Sequence, residues 1–166
     1  QSRPVPPDLL AKALEAARWA PSWANTQTWR FIVVSDTALK QRLAEMFSYN
    51  RAAQAMQQAP LVIVSCSEMG RSGRLSGQTV SEKQWHLFDL GSALQNLSLA
   101  AHSLGLATVH IGNFDPDQVG ALLAVPQGFE VEAMTVLGYP DEEPAPPPRQ
   151  ALGEIAFENR FGEPLP

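Results

Sequence analysis

The sequence predicts a fold that mixes helices and strands, and three observations carry that expectation. In several stretches apolar residues recur at three- and four-residue steps, as along the buried stripe of a helix. Between them stand short apolar runs, above all Leu61-Val62-Ile63-Val64, that read as strands covered on both faces. The two kinds alternate along 166 residues, about one domain's worth, with an apolar fraction of 45% that is ample for a single core. Alternation alone leaves two architectures open: an α+β sandwich with a mostly antiparallel sheet, or three layers built on a parallel one.

Prolines keep residues 3–7 extended, and Pro7 followed by Asp8 suits the first turn of an opening helix. Its apolar stripe is Leu10, Ala13, Leu14 and Ala17, with Lys12, Glu15 and Arg18 between, and it runs to about Ala20 before Pro21 stops it. Residues 29–34 read as a strand. Ser35-Asp36-Thr37 offers N-cap chemistry for a second helix carrying Leu39, Leu43, Met46 and Phe47. A short helix over 52–58 precedes Pro60 and the 61–64 strand. From 65 to 83 no apolar periodicity survives; Gly70, Gly73 and Gly77 stand among Ser, Arg and Glu, which predicts a long, mobile, exposed loop. Such a stretch is uncommon in a compact domain unless it is a lid or binding loop; the plainer reading is a surface insertion.

The longest helix is expected over 84–103, with Leu87, Leu90, Leu94, Leu97 and Ala101 on one stripe and a high density of small residues, Gly91, Ser92, Ala93, Ser98, Ala100 and Ala101. Small side chains let another helix come close, so this helix is placed centrally. Residues 106–111 read as a strand ending in Gly112-Asn113-Phe114, and Asp115-Pro116 opens a helix to about Leu123. Residues 131–137 alternate as a strand with Glu132 outward. Residues 141–148 are dominated by proline and acid and cannot build a core, so the tail over 141–166 is expected to be extended.

Several function classes are disfavoured. The net charge is −5, and nine Arg and three Lys scattered along the chain form no basic stripe, so nucleic acid is not an expected partner. No apolar run approaches the ~18 residues of a membrane span. No signal peptide is visible at Gln1, and a chain beginning with Gln rather than Met is expected to have residues upstream. The single Cys66 excludes an intramolecular disulfide framework and a cysteine-based zinc site, which makes a reducing cytoplasm the simplest compartment. His86, His102 and His110 lack metal-ligand spacing and are read as structural; no metal is expected. There is no G-x-G-x-x-G after a strand, no G-x-x-x-x-G-K-[ST] and no G-x-S-x-G.

The stretch with most chemistry is Pro21-Ser22-Trp23-Ala24-Asn25-Thr26-Gln27-Thr28-Trp29-Arg30-Phe31. Ser22, Asn25 and Gln27 fall on a loop held at both ends by scaffold, where amides and a hydroxyl can converge on a polar planar ligand. The plainer reading is a helix-to-strand connection rich in turn formers. Pro-Ser-x-x-Asn-x-Gln-x-Trp-Arg-Phe resembles the signature of the nitroreductase family of FMN-dependent oxidoreductases, whose usual form carries Pro where this chain has Thr28. Further matches follow in family order: Asp89, Gly91, Gln95, Asn96 and Leu97 on the small-residue helix, Gly105 to Gly112 around the next strand, Leu137-Gly138-Tyr139-Pro140, and the proline-arginine tail.

The resemblance decides the architecture: a nitroreductase-like α+β sandwich, a mostly antiparallel sheet of about four or five strands flanked by helices, with the long helix at its centre. It implies one FMN-binding domain over 1–166. Pro21, Ser22, Trp23, Asn25 and Gln27 would embrace the flavin, and His110, Ile111, Gly112 and Asn113 would face its reactive side, the Ile-Gly turn bringing a backbone N–H near N5. Arg149 would reach the phosphate, although a charged residue after a proline run is otherwise simply solvated. Trp85 and Phe88 would stack on a flat substrate. Relatives carry an Arg-Arg-Ser-type phosphate grip that Gln1 to Val5 follows rather than contains. The activity implied is ping-pong transfer of a hydride from NADH or NADPH through flavin N5 to a flat acceptor such as a nitroaromatic or quinone, with no protein acid or base required. The implied assembly is a homodimer with two flavin sites at the interface, Ala156-Phe157 and Phe161 pinning the tail. Alternatives are an FMN-binding protein without turnover and a specialised member performing flavin fragmentation or reductive dehalogenation.

Overall fold

The computed structural model describes residues 1–46 and 51–166, the side chains of 51 and 52 excepted. In chain order the elements are α1 (Pro7–Arg18), a 3-10 turn (Trp23–Asn25), β1 (Trp29–Val34), α2 (Thr37–Glu45), α3 (Arg51–Gln58), β2 (Leu61–Glu68), β3 (Arg74–Leu75), β4 (Gln78–Thr79), α4 (Trp85–Ser103), β5 (Ala107–Ile111), α5 (Pro116–Leu122), β6 (Phe129–Gly138) and α6 (Leu152–Ile155). Phe47, expected on the second helix, lies outside the described residues.

The main sheet runs β1-β2-β6-β5, and each neighbouring pair is antiparallel. The fold is therefore an α+β sandwich, and the parallel arrangement that alternation left open is excluded. β2 lies in the middle, which explains its apolar run. Leu61 and Ile63 turn toward the layer holding α1 and α4, while Val62, Val64 and Cys66 turn toward the layer of α2, α3 and α5. Ala13 and Ala17 on α1 and Ala93, Leu97 and Ala101 on α4 are almost fully buried in one cluster, so small side chains do bring two helices together. Asn96 Nδ2 fastens the pair by donating to the Ala16 carbonyl at 3.1 Å.

Local chemistry sets the ends. Asp36 caps α2, its carboxylate accepting from Leu39 N at 2.8 Å. Asp115 caps α5 by accepting from the backbone N–H groups of Asp117 and Gln118, and those bonds, led by Gln118, hold its carboxyl below the usual pKa. Lys40 is buried and donates through Nζ to the carbonyls of Ala59 and Pro60, just past the C-terminus of α3.

The structure differs from the sequence expectations in three places. The 65–83 stretch is not loop throughout: β2 continues to Glu68 with Ser65, Cys66 and Ser67 buried, because pairing on both edges satisfies the backbone of a central strand whatever its side chains. Residues beyond it form the small β3-β4 hairpin. Glu132 does not point outward. The β2-β6 register shifts between Ser65 and Cys66, and this bulge turns Glu132 inward to within 3.5 Å of His86 Nε2. Burial pushes the Glu132 carboxyl pKa up, with His86 acting against that rise. Leu87 is exposed, and the buried side of the first turns of α4 is occupied by His86 and Asp89 instead. In the tail, Phe161 is 94% exposed and meets Phe157 at a ring separation of 4.6 Å.

Candidate functional site

α1 ends where the Ala20 N–H reaches back to the Ala17 carbonyl, and Pro21 forbids continuation. The chain then makes one 3-10 turn, Asn25 N to Ser22 O and Thr26 N to Trp23 O, each 3.0 Å. Three residues here hold positive φ without being glycine: Ala24 (44°), Asn25 (55°) and Gln27 (49°). Such conformations cost about 1–3 kcal/mol each and persist only where surroundings over-determine them. The constraints are visible. Gln27 N donates to Ser22 Oγ at 3.0 Å, Gln27 Nε2 donates to Asn25 Oδ1 at 3.0 Å, and Arg30 Nη1 clamps the carbonyls of Gln27 and Trp29.

This internal frame leaves a defined set of groups for a ligand. Ser22 accepts from Gln27, so its O–H is left to donate; Asn25 keeps its amide N–H pair, and Gln27 keeps one N–H and its carbonyl. Asn25 and Gln27 are exposed and Ser22 half-buried.

The loop is tied to α4 through Asp89, which is 1% exposed and whose Oδ1 accepts from Trp23 N at 2.8 Å. Above that bond a cavity of about 200 Å³ is lined by Pro21, Ser22, Trp23, Trp85, Phe88 and Asp89. The loop and both residues expected to stack on a substrate are thus brought together. Trp85 and Phe88 meet edge to face, centroids 5.6 Å apart, with Trp85 Nε1 donating to Ser81 Oγ. A larger groove of about 350 Å³ lies elsewhere, between residues 32–36, Leu39 and residues 122–124; its lining is mostly aliphatic and the Asp36 carboxylate there is engaged in capping.

The end of β5 forms a second region. His110 has Nδ1 2.8 Å from Thr135 Oγ1 and Nε2 2.9 Å from Ser98 Oγ, and Thr108 donates to the same Ser98 oxygen. Ser98 Oγ keeps a proton and a second lone pair beside the bond from Thr108, so His110 links α4 to β6 in either tautomer. Partial burial lowers the His110 pKa, so the ring is neutral at pH 7 and braces α4 against the sheet. Ile111 is buried, while Gly112 and Asn113 are exposed. A Cβ built on Gly112 would meet no atom within 4 Å, and its φ lies outside the left-handed region. Nothing among the described residues requires glycine there.

The two regions are not adjacent. Asp89, which holds the loop, and Ser98, which holds His110, are nine residues apart on α4, roughly 14 Å along its axis. Arg149 stands on the exposed tail with Nη1 against the carbonyls of Pro147 and Pro148. Asp89, named from the sequence only as a match on the small-residue helix, and Ser72, whose hydroxyl donates to Asp89 Oδ2 at 2.5 Å, are the residues that sequence reasoning did not assign to the site. An Asp amid a helix's small residues was a signal for Asp89, since a buried carboxylate needs donors. Among the described residues no cluster of three His, Cys, Asp or Glu could hold a metal. Burial pushes the Cys66 thiol up to about 11, far from a reactive thiolate.

The chain matches the model of the Nitroreductase family over residues 1–52 and 47–139. It is 31% identical over 180 residues to a Thermus thermophilus protein named NADH dehydrogenase, covering 93% of this chain and 86% of that one. It is also 31% identical to the 5,6-dimethylbenzimidazole synthase of Rhodospirillum rubrum, covering 90% and 80%. Among solved structures it resembles the NADPH:FMN oxidoreductase of Vibrio harveyi complexed with NAD+, with a TM-score of 0.84, 25% identity, and coverage of 98% of this chain and 72% of that one.

Proposed function

Because this chain belongs to the Nitroreductase family, we propose that it is an FMN-dependent oxidoreductase using NADH or NADPH, the whole chain acting as one FMN-binding domain. Bound FMN would supply the redox chemistry, hydride transfer from the nicotinamide through N5 to a flat acceptor such as a nitroaromatic or a quinone. The observation that carries the reading is the strained 22–27 loop. Its own hydrogen bonds hold three non-glycine residues at positive φ and still leave the Ser22 O–H, the Asn25 N–H pair and one Gln27 N–H with its carbonyl to a ligand, beside a cavity walled by aromatic rings. That donor set matches the carbonyl and N–H pattern of a flavin edge and ribityl chain. Gly112, whose missing side chain leaves space that nothing among the described residues fills, fits the close approach of a ring to the backbone of residues 110–113. Arg149, with no carboxylate among its bonds, is available to the phosphate.

The protein's work is to orient and exclude. Ser22, Asn25 and Gln27 would hold the flavin edge, Pro21 and Trp23 would wall it, Ile111 and Asn113 would border its reactive side, and neutral His110 braces the strand there. Trp85 and Phe88 hold the flat substrate. No side chain is asked to carry a proton for hydride transfer. One pocket serves donor and acceptor in turn, so the kinetics are ping-pong; converging rather than parallel lines in double-reciprocal plots at several acceptor concentrations would sink that order.

The active form is a homodimer that completes each flavin site. In support, the 22–27 loop and the β5 end are separated along α4 in one chain, and Leu87, Phe88 and Leu99 on α4 and Val109 on β5 are uncovered. Gly91 faces open space in mid-helix, where glycine costs about 1 kcal/mol unless another body comes close. The tail leaves Leu152, Ile155 and Phe161 bare, as apolar contacts for the partner subunit. A monomer in sedimentation that retains FMN would exclude this assembly. Among the described residues no helix is long and apolar enough to cross a membrane, and the cytoplasm is the compartment that suits a lone buried thiol. One observation favours a second reading, a specialised reaction on the same scaffold: the likeness to a protein named as a synthase. Product analysis after aerobic reduction separates the two, a reduced acceptor marking the reductase and a degraded flavin the specialised member.

A further inference from the structure

Two segments distant in sequence meet at one buried carboxylate. Asp89 Oδ1 accepts from Trp23 N at 2.8 Å, and Oδ2 accepts from the Ser72 hydroxyl at 2.5 Å. The Ser72 oxygen also lies 2.9 Å from Thr26 Oγ1. A carboxylate only accepts, so the single Ser72 proton is committed to Asp89 and Thr26 must donate to Ser72. The result is a directed path from Thr26 through Ser72 to Asp89, closed on the other side by Trp23. Both ends of the 3-10 turn are held, and the second hold runs through a residue of the 69–83 segment.

That segment is itself stapled. The Gly73 carbonyl accepts from Val80 N at 2.9 Å and Ser81 N at 3.1 Å, and a Cβ on Gly73 (φ +81) would stand 2.7 Å from the Ser81 carbonyl. Ser81 Oγ in turn accepts from Trp85 Nε1 at 2.8 Å. Ser72 is therefore joined through one tight closure to Trp85, the aromatic wall of the cavity.

We propose that Asp89 is a positioning residue that couples the 22–27 loop to the 69–83 segment through Ser72, so that a ligand ordering the loop also orders the segment and the Trp85 wall. The identity of that ligand as FMN rests on the function proposed above; the coupling belongs to the chain itself. Its consequence is reciprocal, because a link that lets the loop order the segment also lets the segment order the loop.

The test is amide hydrogen exchange, read by peptide, on wild type, Ser72→Ala, Asp89→Asn and Asp89→Ala, each with and without FMN. Ser72→Ala cuts the path and spares the bond from Trp23 to Asp89. Asp89→Asn keeps the shape, accepting from Trp23 and donating to Ser72 through its amide, whereas Asp89→Ala breaks both holds. In ligand-free protein, Ser72→Ala speeds exchange over both 22–28 and 69–83 by about fivefold, the scale of one lost hydrogen bond. Asp89→Ala speeds both further, and Asp89→Asn returns most of the protection. With FMN, wild type is protected over both segments and Ser72→Ala over 22–28 alone; in turnover Ser72→Ala raises the acceptor KM several-fold with kcat within about twofold. Wild-type exchange over 22–28 in ligand-free Ser72→Ala overturns the coupling. FMN that changes exchange in neither segment of wild type overturns the flavin reading instead, and the ligand-free comparison still decides the coupling.

Discussion

Two glycines separate what the fold needs from what the ligand needs. At Gly112 an added methyl meets no atom within 4 Å and the backbone is outside the left-handed region, so Gly112→Ala should leave the flavin-free protein as stable as wild type or raise its stability by about 0.4–1 kcal/mol through the unfolded chain. At Gly138 the methyl would stand 2.8 Å from Pro60 Cδ and 3.3 Å from Cγ, parts of a ring that cannot swing aside, so Gly138→Ala should cost about 1–3 kcal/mol. With flavin the order reverses. If a ring lies against the backbone at Gly112, the methyl takes its place, and a tenfold loss of FMN affinity removes about 1.4 kcal/mol of ligand stabilisation at saturation. Gly138→Ala should keep wild-type affinity once folded. Thermal melts without FMN and fluorescence titration with FMN read the two effects separately. Unchanged affinity in Gly112→Ala refutes the close approach, and a lowered flavin-free melt in that variant refutes the claim that the chain makes no demand there.

Gln27→Ala should weaken FMN binding by about 1–3 kcal/mol by leaving a flavin edge unpaired, and combination with Asn25→Ala should be less than additive because the two amides bond each other; titration of both singles and the double decides. Thr28→Val should stabilise the protein by about 1 kcal/mol in urea melts, since the Thr28 Oγ1 is fully buried and has no partner among the described residues; equal or lower stability would show a bonded hydroxyl. Glu132 has a raised pKa, so its contribution to stability is fully present below its unfolded value and declines as pH rises through the folded one. Glu132→Gln should therefore match wild type near pH 4 and exceed it at pH 8, and a benefit that is greatest at acid pH would contradict the desolvated carboxylate.

Local signals carried most of the fold. Pro7 and Asp8 at α1, Asp36 at α2 and Asp115-Pro116 at α5 mark helix starts through chemistry that acts within a few residues, and the observed bounds fall close to those expected. The doubly apolar run at 61–64 marked the central strand. What stayed hidden depends on contacts distant in sequence. Ser65 to Glu68 continue β2 because β1 and β6 pair with them, not because of their own side chains, and the bulge that turns Glu132 inward exists only once those strands are in register. The choice between parallel and antiparallel came from resemblance, since alternation of elements does not encode strand direction. In the candidate site, Ser22, Asn25 and Gln27 were legible as polar groups in a break between scaffolds. The positive φ values of Ala24, Asn25 and Gln27 and the anchor at Asp89 were not, because the carboxylate lies 66 residues from the amide it holds.

The central claim, that this chain holds FMN and reduces it with a nicotinamide, is tested most directly by the visible spectrum of the purified protein mixed with FMN, titrated anaerobically with NADH and then NADPH. A flavin band that is shifted on binding, bleached by one or both nicotinamides and restored by a quinone or nitroarene is the predicted result. A protein that leaves the spectrum of free FMN unchanged, or holds flavin that neither nicotinamide bleaches, contradicts it.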